Sequence, residues 1–160
     1  MELKTTRFGV IDIDPEKVIT FTQPIIGFQE YRRFVHLPGP PDSLVTWLQS
    51  MDSDELAFLL MDPTQAVPDY TAEVSPHDLT ELAASSVDEL EVYTLVVVPE
   101  DPAKVRTNLK APILLNPKHR LGKQVVLEKS DYPIQYYLAQ GKSTGEASSQ
   151  REVSNARSDA

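Results

Sequence analysis

Carboxylates are the groups in this chain whose type and spacing come closest to a chemical site. The tightest cluster is Asp52-Ser53-Asp54-Glu55, and carboxylate oxygens are ligands that calcium accepts. The cluster lacks the glycine and the more distant glutamate of an EF-hand loop, so we interpret it as a polar turn between two strands. Glycoside hydrolysis needs a defined pair of acids, and no pair stands out among so many.

Other catalytic patterns are weaker still. The three histidines, His36, His77 and His119, fall at a strand end, at a helix start and in a basic loop. A metal site would require them to converge with a carboxylate, and we expect no bound metal. The glycines lack phosphate-binding spacing, and no Gly-x-Ser-x-Gly nucleophile motif occurs. The sequence therefore predicts a protein that is not an enzyme and needs no cofactor.

The distribution of charge is more informative. Between Arg33 and Lys104 the chain has no lysine or arginine, yet this stretch holds fourteen of the twenty-four acidic residues, and the net charge is −9. Such a field attracts a basic protein and repels phosphates, so we expect no direct binding to nucleic acid. The simpler alternative is an acidic surface that only maintains solubility. A positive flank follows, which comprises Lys104, Arg106, Lys110, Lys118, Arg120, Lys123 and Lys129.

Composition also bears on the compartment. The chain has no cysteine, and its first residues lack the apolar core of a secretory signal. No apolar run approaches the roughly eighteen residues that a membrane span requires. We therefore expect a soluble, cytoplasmic protein with no membrane partner.

Short strands are the elements that must position these side chains. Thirteen prolines leave little room for long helices, and apolar, β-branched and aromatic runs recur between turn residues. This pattern predicts an all-β fold, an antiparallel barrel-like domain of short strands with one or two short helices. The predicted strands span residues 5–13, 17–21, 34–37, 45–51, 56–61, 89–98, 113–115 and 124–127. Because 56–61 and 95–98 do not alternate, we expect these strands to be buried on both faces.

One helix is expected to begin after Ser75. The segment Ser75-Pro76-His77-Asp78 combines an N-cap hydroxyl, a proline at the first helical position and a carboxylate at the third. Its apolar face would carry Leu79, Leu82 and Ala83.

Three further predictions concern the organisation of the chain. A second helical turn is expected over residues 28–33, where apolar and long side chains recur at intervals of three and four. Residues 1–139 are predicted to form one domain of ordinary size. Residues 140–160 have almost no large apolar side chain, so we expect a disordered polar tail there.

A set of short motifs runs in order through residues 3–138. The most specific is Asn108-Leu109-Lys110-Ala111-Pro112-Ile113-Leu114-Leu115-Asn116, followed by Gly122-Lys123-Gln124-Val125. The other pieces are Thr5-Thr6-Arg7-Phe8-Gly9, Ile25-Ile26-Gly27-Phe28, Leu48-Gln49-Ser50, Ala57-Phe58, Asp62-Pro63 and Pro68-Asp69-Tyr70. Together they resemble the flagellar assembly factor FliW. The family usually has a proline right after Phe21 and a glycine where Pro24 stands, so this turn departs from its pattern.

The resemblance implies a cytosolic regulator of flagellum assembly and not an enzyme. Proteins of this family bind the translational repressor CsrA, a basic RNA-binding protein, and relieve its repression of flagellin mRNA. They also bind flagellin, which competes with CsrA. The implied fold is an all-β, barrel-like domain, in agreement with the strand pattern. We expect CsrA and flagellin as partners and a monomer when the protein is free.

Charge and position, and no family motif, select the residues expected at the CsrA-binding face. These are the carboxylates Asp52, Asp54, Glu55, Asp62 and Asp69. For flagellin we expect an exposed groove that accepts the apolar face of a helical segment. Its candidate lining residues are Phe28, Tyr31 and Tyr70, and burial in the core is the alternative role of each.

Two other functions stay open at this point. The first is a flagellin chaperone without a regulatory role, which would bind flagellin and leave complexes of repressor and RNA unchanged. The second is a barrel enzyme that uses a metal in an acidic pocket, which would carry a stoichiometric metal ion.

Overall fold

The computed structural model describes residues 1–139 and the backbone of residues 142 and 143. Twelve strands and one α-helix lie in this part of the chain. The strands are β1 Glu2–Thr5, β2 Gly9–Asp12, β3 Val18–Phe21, β4 Arg33–Leu37, β5 Val45–Ser50, β6 Ala57–Met61, β7 Glu91–Val97, β8 Arg106–Thr107, β9 Ile113–Asn116, β10 Leu121–Gln124, β11 Tyr136–Tyr137 and β12 Lys142–Ser143. The helix α1 spans Pro76–Glu81, and 3-10 helices span Pro15–Lys17, Pro63–Gln65, Val87–Glu89 and Pro102–Lys104.

Seven strands close into a barrel. Strands β3 to β7 form a continuous antiparallel meander, β7 pairs with β9, β9 pairs with β10, and β10 returns to β3. The prediction of an all-β, barrel-like domain is confirmed. One pairing is parallel, because the β9–β10 hairpin brings β10 beside β3 in the same direction. Strands β8, β11 and β12 extend from β7 outside the barrel.

Three hydrophobic cores support this arrangement. The barrel interior is filled by Ile19, Phe21, Ile25, Phe34, Leu48, Leu60, Ile113 and Leu115. A second core lies outside β9 and β10, under the segments that precede and follow them, and comprises Tyr70, Leu82, Leu90, Leu109, Leu114, Val125, Leu127 and Tyr136. The β1–β2 hairpin covers a third core, formed by Leu3, Ile13 and Val35. The barrel is therefore covered on part of its outer surface and bare on the rest.

The predicted strands agree with the structure in position more than in burial. The run 5–13 is a hairpin and not one strand, since the chain turns before Gly9, whose φ is 71°. The run 124–127 is displaced, because β10 ends at Gln124. The prediction that 56–61 and 95–98 are buried on both faces is wrong, because Leu59 and Val96 face outward and are partly exposed.

The helix after Ser75 is confirmed, with a complete capping box. The hydroxyl of Ser75 accepts the N–H of Asp78 at 3.1 Å, and the Asp78 carboxylate accepts the N–H of Ser75 at 3.4 Å. Leu82 is fully buried, as expected of the apolar face. Ala83 is not on that face, because it adopts a left-handed φ of 57° that ends the helix.

The second predicted helical turn, over residues 28–33, is wrong. Two successive turns occupy this region instead: the N–H of Phe28 donates to the carbonyl of Ile25 at 2.8 Å, and the N–H of Tyr31 donates to the carbonyl of Phe28 at 3.2 Å. Gly27 has a φ of 92°, which the third position of a type II turn requires. The turn at residues 28–31 does not continue into a helix, because the chain becomes extended and β4 begins at Arg33.

The predicted polar tail, residues 140–160, lies outside the described residues except for 142 and 143. The backbone of these two residues pairs with β11. Within the described part of the chain, no helix has the length and apolar character needed to cross a membrane.

A substitution at Gly122 tests whether barrel closure depends on the absence of a side chain there. A Cβ at this position would lie 2.7 Å from a ring carbon of Phe21 and 3.0 Å from a methyl of Leu115, and both residues are almost fully buried. We expect Gly122→Ala to lower the free energy of unfolding by about 1–3 kcal/mol, measured by urea denaturation. Val126→Ile, which adds one carbon to a 45% exposed side chain, is the control. Equal stability of both variants and the parent would show that the interior has room at Gly122.

Candidate partner-binding site

The turn between β5 and β6 carries the densest group of acids, and hydrogen bonds from side chains of β5 fix its conformation. The hydroxyl of Ser50 accepts the N–H groups of Asp52 and Ser53 at 2.9 and 3.0 Å. The Nε2 of Gln49 donates to the carbonyls of Ser50, Ser53 and Leu56 at 3.1–3.3 Å, and Gln49 is fully buried. The turn is thus fixed by side chains of the preceding strand.

The carboxylates of this turn differ in their charge balance. Asp52 forms an ion pair with Arg33 at 2.6 Å. Asp54 and Glu55 are exposed, and neither forms an ion pair with another described residue. The carbonyl of Asp54 accepts the N–H of Thr6 at 2.8 Å, which ties the turn to the β1–β2 hairpin. Two negative charges are therefore left uncompensated on a rigid support.

The loop over residues 22–32 lies at the same end of the barrel. Ile26 is 65% exposed, and its N–H donates to Oε1 of Gln124 at 3.0 Å. Phe28 packs edge-on against Phe58 with ring centroids 4.9 Å apart, and Tyr31 is partly buried beside the interior core. We call this surface, formed by loop 22–32 and turn 51–56, the acidic end. It combines exposed apolar side chains with unpaired carboxylates.

Two of the predicted carboxylates lie elsewhere. Asp62 follows the last residue of β6, whereas turn 51–56 precedes the first, and a five-residue strand spans on the order of 15 Å. The Asp62 carboxylate caps a 3-10 helix by accepting the N–H of Thr64 at 2.9 Å. Asp69 is exposed in the segment that follows. The structure thus brings Asp52, Asp54 and Glu55 together, whereas Asp62 lies at the opposite end of β6 and Asp69 lies in the segment that covers the second core.

Tyr70 does not line an exposed groove with Phe28 and Tyr31. Its side chain is buried in the second core, where its hydroxyl donates to the carbonyl of Leu109 at 2.8 Å. Burial raises the pKa of Tyr70 well above its ordinary value. Tyr132 stacks on it at 4.5 Å and lines an open groove of about 960 Å³ between residues 71–76 and 126–132. The prediction for Tyr70 is corrected, because the segment that carries it folds over the second core.

Three cations of the positive flank are buried within the fold. Lys104, Arg106 and Lys123 are each less than 10% exposed. The ammonium of Lys123 lies 2.6 Å from Asp78 and 2.5 Å from Glu81, so it anchors α1 to β10. The buried position of these cations leaves the acidic surface with fewer counter-charges than the composition implies.

This ion cluster shifts the pKa of all three groups. Burial opposes ionisation of Asp78, but hydrogen bonds from Lys123 and Ser75 outweigh it and lower the pKa of Asp78. Hydrogen bonds from Lys123 and Gln23 lower the pKa of Glu81. Burial opposes the charge of Lys123 as well, yet the two carboxylates raise its pKa.

A second group of titratable side chains lies at the opposite mouth of the barrel. The Nε2 of His36 is 2.7 Å from the hydroxyl of Thr46, and its ring lies 5.0 Å from that of Tyr93. Burial lowers the pKa of His36, and the negative charge of the nearby Glu91 offsets part of this shift. Burial and Glu91 raise the pKa of Tyr93, whose hydroxyl donates to Glu91 at 3.0 Å. Among the residues described, no three His, Asp or Glu side chains are placed to share a metal ion.

Comparison with known proteins decides the family. The family model described as FliW protein matches residues 2–138. The chain is 37% identical to the flagellar assembly factor FliW of Natranaerobius thermophilus, over 90% of this chain and 96% of that one. This chain belongs to the FliW family. The FliW of Geobacter sulfurreducens is 35% identical over 98% of this chain and the whole of its own.

A solved structure supports the fold of this FliW-family chain. The crystal structure of a flagellar assembly factor FliW superposes with a TM-score of 0.79 at 30% identity. It covers 86% of this chain and 96% of its own. The chain is therefore a flagellar assembly factor by family.

The FliW motif at 108–116 consists of residues that shape the backbone. The Oδ1 of Asn108 accepts the N–H groups of Lys110 and Ala111 at 3.0 and 3.1 Å, and Leu109 is fully buried. Asn116 donates to the carbonyl of Leu82 at 2.7 Å, and its Oδ1 accepts N–H groups in the following loop. Both asparagines therefore stabilise turns through hydrogen bonds between side chain and backbone.

The remaining FliW motif residues also act through structure. Pro112 and Ala111 are buried, and Gln124 links two loops by donating to the carbonyl of Ala111 while it accepts from Ile26. Gly122 and Gly27 meet steric needs, and the pair Asp62-Pro63 starts a 3-10 helix. The family motifs thus preserve the scaffold and do not by themselves locate a binding surface.

Gln49 and Lys123 are the supporting residues that the sequence did not single out. A glutamine between Leu48 and Ser50 in an apolar strand was the available signal, and Lys123 stood within the motif at 122–125. Their partners are distant in the chain or in the next turn, so their roles emerge only from the fold.

Gln49→Glu tests the support of the acidic turn. The substitution keeps the shape but replaces an amide donor with a buried carboxylate facing three carbonyl oxygens. We expect the free energy of unfolding to fall by at least about 3 kcal/mol at pH 7, measured by urea denaturation. Gln29→Glu, an exposed substitution at the same end with the same change of charge, should stay within about 0.5 kcal/mol. A stable Gln49→Glu protein would contradict the assigned hydrogen bonds.

Lys123→Met tests the ion cluster. Removal of the cation leaves the carboxylates of Asp78 and Glu81 largely shielded from solvent and without a partner charge. We therefore expect the free energy of unfolding at pH 7 to fall by about 3 kcal/mol. The control Lys118→Met, in an exposed loop, should change it little. The lowered pKa values of Asp78 and Glu81 mean that their contribution is present above the ordinary values of 3.8 and 4.5 and is lost as the pH falls through the folded values.

The stability difference between parent and Lys123→Met should therefore narrow as the pH falls below about 4.5. Denaturation curves at a series of pH values measure this directly. A difference that is constant from pH 7 to pH 3 would mean that Lys123 contributes through packing and not through charge.

Proposed function

We propose that this FliW-family protein binds CsrA through the acidic end and thereby relieves repression of flagellin mRNA. The observation that carries the proposal is the pair of exposed, unpaired carboxylates, Asp54 and Glu55, on a turn that Gln49 holds in place. CsrA is a basic protein because it binds RNA. An acidic surface on a rigid support is complementary to it.

Long-range attraction and short-range contact would act in sequence. The net charge of −9 steers a cationic partner toward the protein, and this effect weakens as salt screens it. At contact, Ile26 and Phe28 supply apolar area beside the carboxylates. Once docked, the negative surface repels the phosphates of an approaching transcript. The complex would form in the cytoplasm, where transcripts are translated.

Flagellin is proposed as the competing partner. The candidate lining residues at the acidic end are Phe28 and Tyr31, which are partly exposed and lie beside the 65% exposed Ile26. A helical segment with an apolar face fits such a surface. Because the same end carries the carboxylates, occupancy by flagellin would exclude CsrA sterically.

A release assay tests the CsrA proposal. The protein is mixed with CsrA bound to a labelled leader RNA, and RNA release is followed by fluorescence anisotropy at several salt concentrations. We expect release at low salt and weaker release at high salt. No release at any salt would reject the regulatory role. Flagellin binding without any effect on CsrA–RNA complexes would favour the chaperone alternative.

Charge reversal at the two barrel ends locates the site. Asp54→Lys with Glu55→Lys reverses charge on turn 51–56, and Asp62→Lys with Asp69→Lys changes the net charge equally in the segment that follows β6. We expect the first pair to weaken CsrA binding about tenfold or more and the second pair to weaken it only a few-fold through long-range attraction. The reverse ranking would move the site to the opposite end, and circular dichroism checks that both variants fold.

A further inference from the structure

The outer face of β5, β6 and β7 carries an apolar surface that the described chain covers only in part, through Arg7 and Phe8 against Trp47. Trp47, Leu59 and Val96 are direct cross-strand neighbours, so they lie in one row on one face. The inward face of the same strands holds Leu48 and Leu60, which are fully buried in the interior core. The row therefore faces outward, and each of its three residues is partly exposed.

Further apolar side chains extend the row into a patch. Val45 and Ala57 lie on the same face of β5 and β6 and are also partly exposed. Val98 continues the outward series of β7 one residue past its end and is 58% exposed. We call these six residues the outer wall: Val45, Trp47, Ala57, Leu59, Val96 and Val98. None of them belongs to any of the three cores. A contiguous apolar patch of this kind marks an interaction surface.

The dimensions of the outer wall suit one α-helix. Three neighbouring strands are about 10 Å wide between the outer two, which equals the diameter of a helix with its side chains. The five-residue strand β6 is about 15 Å long, which corresponds to nearly three helical turns. On one side the β1–β2 hairpin forms a border, where the Arg7 guanidinium lies 4.4 Å above the Trp47 ring and Phe8 meets the same ring edge-on.

Charge around the outer wall discriminates between occupants. Asp54 and Glu55 border one end of β6, and Asp62 borders the other. Glu100 and Asp101 follow Val98 closely, and the Arg7 guanidinium over the Trp47 ring is the cation that the structure places against the outer wall. A second copy of this chain, with its own net charge of −9, would bring carboxylates against carboxylates at this surface. A segment with cations beside its apolar stripe is complementary to both features.

We infer that the outer wall is a docking surface for an amphipathic helix that carries Lys or Arg on both sides of a single apolar stripe. The apolar stripe contacts the Trp47–Leu59–Val96 row, and the flanking cations reach the carboxylates at the two ends of β6. This inference concerns a surface beside the acidic end and stands whether or not CsrA binds there.

Trp47 is the only tryptophan of the chain, so its fluorescence reports on this surface alone. The probe is a synthetic helical peptide of about 18 residues with one leucine stripe flanked by lysines and no tryptophan. We expect a saturable blue shift of Trp47 emission as the peptide is added to the full chain. A peptide of the same composition, scrambled to abolish the stripe, should bind at least about tenfold more weakly.

Two variants with the same charge change separate docking from simple attraction. Leu59→Glu places a carboxylate in the outer wall, and Val10→Glu places one at a 64% exposed position on β2. If attraction alone held the peptide, both variants would bind it as well as or better than the parent. We expect Leu59→Glu to lose binding about tenfold and Val10→Glu to retain it. Should Leu59→Glu fail to fold by circular dichroism, Ala57→Glu takes its place at the edge of the same surface.

Three results would overturn the inference. Equal affinity for the striped and scrambled peptides would reduce the interaction to charge. A concentration-dependent dimer in sedimentation, with a matching change of Trp47 emission, would assign the wall to a second copy. Acrylamide quenching of Trp47 that stays unchanged on saturation with the striped peptide would show that the peptide does not cover this surface. None of these readouts involves RNA, so failure of the release assay leaves them unaffected.

Discussion

Closure of the barrel by the β9–β10 hairpin is the constraint on which the rest of this structure depends. The hairpin joins β7 to β3, with one antiparallel and one parallel pairing at its two edges. It fits because Gly122 leaves room for the Phe21 ring inside. Closure removes the free edges that an open sheet would expose and fixes two distinct ends. The acidic end is one of these two ends, and the outer wall lies on the barrel surface between them.

The same hairpin explains how a chain with fifteen cations presents an acidic surface. Lys123, on β10, forms ion pairs with Asp78 and Glu81 of α1. These ion pairs hold the long connection from β6 to β7 against the second core. On the other side, Gln49 holds the turn that carries Asp54 and Glu55 without offering them a counter-charge. The fold buries Lys104, Arg106 and Lys123, whereas Asp54 and Glu55 stay exposed. That division favours a cationic partner, because the desolvated pairs are already satisfied and the exposed charges are not.

Local chemistry could be predicted from the sequence, whereas the relations between distant segments could not. Strand positions followed from β-branched runs, and the helix after Ser75 followed from its capping residues, because both depend on near neighbours. The sequence did not reveal that Leu59 faces outward without a cover, since a continuous apolar run does not say whether another layer lies over it. It grouped Asp62 with Asp54, although a strand separates them, and it left Tyr70 between groove and core. In each case the missing information was long-range packing. The family resemblance supplied a function but located no surface, because its motif residues build turns and cores.

Amide hydrogen exchange of this protein, alone and with CsrA, tests the central claim that the acidic end is the docking surface. If the claim is right, CsrA slows exchange in turn 51–56 and in loop 22–32, while amides around Asp62 and the 3-10 helix Pro63–Gln65 exchange as in the free protein. If protection appears around Asp62 and the 3-10 helix Pro63–Gln65 instead, with turn 51–56 and loop 22–32 unchanged, the acidic end is not where the repressor binds.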